Sequence, residues 1–137
     1  MKTVLFACVH NAGRSQMAAA FFNAMADPAR ARATSAGTAP GEQVHPEVVD
    51  AMREIEIDLA GVRPQRLTDE LARGADLLVT MGCGDACPWI PDLERADWPL
   101  DDPKGREPDQ VRRIRDEIRR RVAELLRARG WAPPSGQ

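Results

Sequence analysis

Lys2 to Ala7, KTVLFA, is the stretch that most restricts the fold. After Lys2 and Thr3 it is apolar without alternation. A strand of that kind is buried on both faces and belongs in a parallel sheet covered by helices on each side. The rest of the chain agrees. Arg14 to Met25 carries Met17, Phe21, Phe22 and Met25 at helical spacing, an apolar stripe that faces a core. Asp27-Pro28 stops that helix, because the residue before a proline is driven out of the helical region. Arg32 to Ala36 (RATSA), halted by Gly37, predicts a second strand, and His45-Pro46 opens a second helix carrying Val49, Met52 and Ile55. Thr68 is placed to cap a short third helix beginning DELA. Asp76 to Met81 (DLLVTM) predicts a third buried strand, residues 82–92 a loop with two cysteines, and Trp98 a short fourth strand. Val111, Ile114, Ile118, Val122 and Leu125 are spaced 3, 4, 4 and 3 apart, one stripe of a long helix that Gly130 and Pro133 end. The tail WAPPSGQ is expected to fray.

Strands alternating with helices predict an α/β fold, a three-layer sandwich around a four-stranded parallel sheet with right-handed crossovers. The 137 residues contain no repeat or linker, so one domain over residues 1–137 is expected, working as a monomer. Several function classes are disfavoured. Net charge is −2, which gives no global field for nucleic acid. Eight arginines lie between Arg112 and Arg129, but Asp116, Glu117 and Glu124 offset them, which reads as a solvated helix face rather than a polyanion patch. No apolar run approaches the roughly 20 residues of a membrane span. The N-terminal run is too short for a signal peptide, so a cytoplasmic location is expected. Three cysteines, Cys8, Cys83 and Cys87, are an odd count without an export signal, which points to reactive or metal-binding thiols rather than a disulfide framework.

Open parallel sheets bind ligands beyond the carboxyl ends of their strands. CVHNAGRS follows the first predicted strand, MGCGDAC the third, and PLDDPKG follows Trp98; parallel neighbours would bring these loops to one edge. Strand, loop, then helix N-terminus makes an anion site, with successive backbone N–H groups turned inward. The candidate cradle is Cys8, Val9, His10, Asn11, Ala12, Gly13, Arg14 and Ser15. Gly13 lets the backbone close around an oxyanion, and Arg14 offers a planar fork of donors to two oxygens of a tetrahedral ligand. The same N–H groups favour a thiolate at Cys8, to which Ser15 can donate, while Asn11 can hold the loop. The bland alternative is an inert core thiol at a strand end, and the position between a buried strand and an amphipathic helix weighs against it. A leaving oxygen also needs an acid. Asp101 and Asp102 are the candidates, and Asp102, beside Pro103 in a turn, is preferred over the reading of both as turn formers.

CVHNAGRSQMA together with WPLDDP resembles the low-molecular-weight protein tyrosine phosphatase superfamily. Within it, TSAGT, HPEVVDAMREIEIDL and MGCGDACPWIPDLERADWPLDDPKG are similar in order and spacing to the arsenate reductases, and the resemblance covers residues 2–128. It implies a low-molecular-weight phosphatase-like fold with Cys8 as nucleophile, Arg14 and Ser15 completing the anion loop, and Asp102 as general acid. It implies Cys83 and Cys87 as second and third redox cysteines in a relay from Cys8 to Cys83 to Cys87. Thioredoxin would then be the external reductant, no cofactor or metal would be bound, and phosphate or sulfate would mimic arsenate. In some members an acidic residue of a potassium site stands where this chain has Ala19 and another where it has Gln65, so no strong potassium requirement is expected. Ser35, at a third such position, is expected to support the loop through Asn11.

Three readings compete. Only Gly84, Asp85 and Ala86 separate Cys83 from Cys87, a shorter loop than in better-known thioredoxin-coupled members. Related reductases instead use mycothiol and a glutaredoxin-like partner with Cys8 alone. A tyrosine phosphatase would use the same loop and acid, but this chain has no tyrosine, no aromatic directly following Asp102-Pro103 to stack on a phenol ring, and Gly13 where phosphatases of the family usually have a second cysteine. A zinc site from Cys83, Cys87, His10 and His45 is the non-enzymatic reading; Cys-x3-Cys is a weak signal for it.

Overall fold

The computed structural model describes residues 1–82 and 90–133. In chain order the elements are β1 (Lys2–Cys8), α1 (Arg14–Met25), β2 (Ala31–Gly37), α2 (Pro46–Arg53), α3 (Asp69–Arg73), β3 (Leu77–Thr80), β4 (Glu94–Asp97) and α4 (Pro108–Arg129). The strands form one sheet in the order β2-β1-β3-β4, and every pairing is parallel. Lys2 stands opposite Ala31 and Cys8 opposite Gly37; Val4 stands opposite Leu77 and Ala7 opposite Thr80. All strands therefore deliver their carboxyl ends to one edge, and β1, a central one, ends on Cys8.

Period-two alternation sorts β1 between two cores. Val4, Phe6 and Cys8, with Leu77 and Val79 of β3, face α1, α2 and α4 through Met17, Phe21, Phe22, Met52, Ile118 and Val122. Leu5 and Ala7, with Leu78, face the other way onto a smaller cluster with Ala36, Ala72, Leu67 and Leu71. Helices thus cover both faces, as the unalternating run in KTVLFA predicts. Phe6 anchors the larger core, meeting Phe22 edge-on at 6.0 Å and Trp98 at 5.6 Å between ring centroids. Burying such a ring contributes about 1.5–3 kcal/mol.

Four details differ from expectation. The fourth strand is Glu94–Asp97, just before Trp98. It is a charged edge strand with no apolar period to read, and only Trp98, packed on Phe6, marks it in the sequence. The deepest residue in the last turns of α4 is Leu126, with Leu125 only half-buried, because a step of four from Val122 keeps to the stripe. Arg115 is also buried on this helix, although its arginines read as a solvated face. The tail is docked at its start: Trp131 N–H donates to Leu126 O (2.9 Å), Asp27 N–H donates to Trp131 O (2.8 Å), and the Trp131 ring meets Phe22 at 6.0 Å. Gly130, at φ 72°, supplies the left-handed step that allows this closure. Among the described residues no helix is long and apolar enough to cross a membrane.

Candidate active site

The loop between β1 and α1 is shaped by where its carbonyls go. Cys8 O accepts from Thr38 N (3.2 Å), Val9 O from Ala39 N (2.8 Å), His10 O from Gly41 N (2.9 Å) and Ala12 O from His45 N (2.9 Å). Gly13 O accepts from Met17 N (3.0 Å) as α1 begins, and Asn11 O accepts from Gln16 Nε2 (3.1 Å). Six consecutive carbonyls are thereby drawn away from the loop centre. The intervening N–H groups are left to the concave side, which is a nest for an anion. Asn11 carries the one positive φ in the loop, 51°, a conformation asparagine tolerates better than most residues.

A directed chain of hydrogen bonds ends on the thiol. Gln65 N–H can only donate, and it donates to Asn11 Oδ1 at 2.9 Å. That fixes the amide, so Asn11 Nδ2 donates to Ser15 Oγ at 2.8 Å. Ser15 therefore has its own hydrogen free for Cys8 Sγ, 2.8 Å away. The Ser15 hydroxyl is thus aimed at the sulfur, and Cys8 is only 2 % exposed. Gln16 Nε2 adds a second bond to Asn11 Oδ1 (3.1 Å). Ser35 contributes its backbone rather than its hydroxyl: Gln65 Nε2 donates to Ser35 O (2.8 Å). Asn11 is thus reached from Ser35 through Gln65, not directly.

Arg14 opens α1 and lies across the loop. Its Nη1 donates to Leu100 O (3.0 Å), and its Nη2 stands 3.9 Å from Asp102 Oδ2. The guanidinium rests on Gly82, where a Cβ would come within 2.4 Å of Nη1 and where φ is +98°. Only glycine meets both demands. Asp102 Oδ1 accepts from Lys104 N (3.0 Å) and its Oδ2 is the oxygen that faces Arg14, whereas Asp101 is exposed. Pro103 is buried, and its Cγ lies 2.9 Å from where a Gly13 Cβ would be. His45 borders the same spot, 3.6 Å away. Burial, the leading cause, holds the His45 imidazole below its ordinary pKa, against the opposing charges of Glu47 and Asp102. His10 lies outside this cluster of bonds and contacts Ala39 O through Nδ1 (3.1 Å).

The structure brings Cys8, Asn11, Gly13, Arg14, Ser15 and Asp102 to one edge of the sheet. Cys83 and Cys87 lie outside the described residues. Gln16, Leu100 and Gly82 are not legible as site residues in the sequence, since they act through a side-chain amide on a loop carbonyl, a backbone carbonyl or a missing Cβ. Gln65 stands out in the sequence only as the replacement of an acidic residue; its two amide bonds hold Asn11 and Ser35 together. Among the described residues no group of three His, Cys, Asp or Glu side chains could hold a metal ion.

Comparison with known proteins gives consistent relatives. The family model described as low molecular weight phosphotyrosine protein phosphatase matches residues 3–130. The thioredoxin-dependent arsenate reductase of Corynebacterium glutamicum superposes with a TM-score of 0.80 at 38% identity, over 93% of this chain. This chain spans only 61% of that longer protein. An arsenate reductase from Archaeoglobus fulgidus gives a TM-score of 0.76 at 35% identity, covering 90% of this chain and 98% of the other. A protein of Synechocystis named glutaredoxin arsenate reductase is 32% identical over 129 residues, 92% of this chain and 97% of its own.

Proposed function

The chain belongs to the low molecular weight phosphotyrosine protein phosphatase family, and we propose that within it this protein is an arsenate reductase. The observation that carries the reading is the hydrogen-bond chain from Gln65 through Asn11 and Ser15 to Cys8 Sγ, inside a nest of N–H groups beside Arg14. That arrangement sets the Cys8 sulfur against the place where a tetrahedral oxyanion would sit. The names of the Corynebacterium, Archaeoglobus and Synechocystis relatives select arsenate from among such anions. The two further cysteines of this sequence would be superfluous to a phosphatase.

The proposed reaction has three sulfur steps. The Cys8 thiolate attacks arsenic while Arg14 and the loop N–H groups hold the equatorial oxygens. An S–As bond forms, and Asp102 protonates the departing hydroxyl, which leaves as water. The Cys83 thiolate then attacks Cys8 Sγ. The electron pair of the S–As bond goes to arsenic, which leaves as arsenite, and a Cys8–Cys83 disulfide remains. The Cys87 thiolate attacks Cys83, Cys8 departs as a thiolate, and the disulfide rests on Cys83 and Cys87. Thioredoxin returns two electrons to that pair. The protein does this as a monomer in the cytoplasm, where thiols are kept reduced. The name of the Synechocystis relative favours a second reductant, a glutaredoxin-type partner.

Arsenate-dependent NADPH oxidation with thioredoxin and thioredoxin reductase tests both readings, on wild type and on Cys8→Ser, Cys83→Ser and Cys87→Ser. Loss of turnover in all three variants is the expected result. Turnover that needs glutaredoxin or mycothiol and only Cys8 would keep the reductase but remove the internal relay. Aryl phosphate hydrolysis without arsenate turnover in any system would make the protein a phosphatase.

A further inference from the structure

The turn that carries Asp102 behaves as one unit. Asp102 Oδ1 accepts from Lys104 N (3.0 Å), Arg106 N donates to Pro103 O (3.1 Å), and Arg106 Nε donates to Asp102 O (3.2 Å). Gly105, at φ +70°, completes the turn. A turn so bonded to itself moves as a body, and whatever holds any part of it aims the Asp102 carboxylate.

Two contacts hold it from the direction of the loop and α2. Pro103 is wedged on Gly13. Glu47, in the first turn of α2, accepts the Gly105 N–H on Oε2 at 2.9 Å, across 58 residues of sequence. The residue that opens α2, His45, donates its backbone N–H to Ala12 O of the anion loop. The start of α2 therefore grips the nucleophile loop through His45 and the acid turn through Glu47, two residues apart. One short segment, residues 45–47, thus contacts both the nucleophile loop and the acid turn.

We infer that Glu47 is a positioning residue: its carboxylate docks the 102–106 turn on α2 and so aims Asp102 at the anion held by Cys8 and Arg14. The inference rests on the reading of Asp102 as general acid. Glu47 touches no substrate in this scheme and contributes no proton. It acts because an acceptor oxygen at this reach ties the turn to α2 across 58 residues, and because a misplaced acid loses much of the 10²- to 10⁴-fold that acid catalysis typically supplies.

The test compares Glu47→Ala with Glu47→Gln, which keeps an acceptor oxygen at the same reach. Glu47→Ala should lower kcat for arsenate about 10-fold and leave KM within about two-fold, since the anion loop is untouched. Glu47→Gln should recover most of that loss. In an Asp102→Asn background Glu47→Ala should cost nothing further, because the residue it serves is already gone. Hydrogen exchange at the Lys104 and Gly105 amides should rise in Glu47→Ala, and this readout needs no turnover. Unchanged exchange at Gly105, an unchanged kcat, or an additive loss in the Asp102→Asn background would each overturn the inference. Faster exchange in a protein whose wild type reduces no arsenate would instead leave the docking intact and remove the reductase reading.

Discussion

Arg14, where the anion loop meets α1, and Arg115, on the buried stripe of α4, are two cations with side chains exposed to the same 10 %. Their surroundings differ. Arg115 Nη1 donates to Ala51 O and to Glu54 Oε1, both at 2.8 Å, and its Nε donates to Asp116 Oδ1 at 2.9 Å. Glu54 is shared with Arg112, which also bonds Asp109. Arg14 has a neutral carbonyl at 3.0 Å, and Asp102 stands beyond hydrogen-bonding distance at 3.9 Å. A buried charge needs a partner. Where the chain supplies the partners in full, the arginine ties α4 to α2 and has no use for a ligand. Where, among the described residues, it supplies them incompletely, beside a nest of N–H groups, the remaining attraction is available to an anion.

Exchanging each arginine for lysine should separate the two most widely. Arg14→Lys loses the planar fork, and arsenate turnover should fall about 10²- to 10³-fold, as when an oxyanion donor is removed. Arg115→Lys should leave turnover within about two-fold and lower stability by about 1–3 kcal/mol in urea melts, the scale of hydrogen bonds to a charged group. Equal turnover losses in the two variants would show that they do not differ in the way their partners suggest.

Next in size is the bond that prepares the nucleophile. Ser15→Ala removes the hydroxyl that Asn11 orients toward Cys8. Alkylation of Cys8 by iodoacetamide at neutral pH should slow about 10-fold, the scale of one hydrogen bond to an ionised group. An unchanged rate would mean that the loop N–H groups alone hold the thiolate.

The smallest effect belongs to the α4 side. Hydrogen bonds from Arg112 and Arg115 hold the Glu54 carboxyl at about 2, against an ordinary 4.5. Because the folded value is the lower one, this stabilisation is complete above pH 4.5 and is lost as pH falls toward 2. Glu54→Gln should therefore flatten the fall of Tm with acidification in that window and leave arsenate turnover at neutral pH unchanged. The group is exposed, so the change in Tm is expected to be modest. A turnover loss in Glu54→Gln would mean that the α4 charges reach the site after all.

Much of this molecule is legible in its sequence, and the reason is local. The apolar run KTVLFA, the stripe of α1 and the spacing of Val111, Ile114, Ile118 and Val122 each report burial with a period, and period identifies strand or helix without knowledge of partners. The loop CVHNAGRS is legible because strand, small residues and helix start are contiguous. Asp102 differs from Asp101 by the proline that follows it, and its carboxylate is the one turned toward Arg14. The charged edge strand β4 has no period, and Trp98 is its only mark in the chain.

Partners are another matter, because they belong to the packing. Arg115 is a buried tie because α2 brings Ala51 O and Glu54 to it. Arg14 meets Leu100 O across 86 residues, and Glu47 meets Gly105 across 58. Gln65 reaches Asn11 across 54, since the end of β2 lies beside the end of β1. None of these pairs has a signature in the chain, because a backbone carbonyl or amide accepts any partner that arrives. Which one arrives follows from the strand order β2-β1-β3-β4. Periodicity and contiguity wrote the elements and the chemistry of the loop into the chain; only packing chose which arginine was left, among the described residues, with incomplete partners.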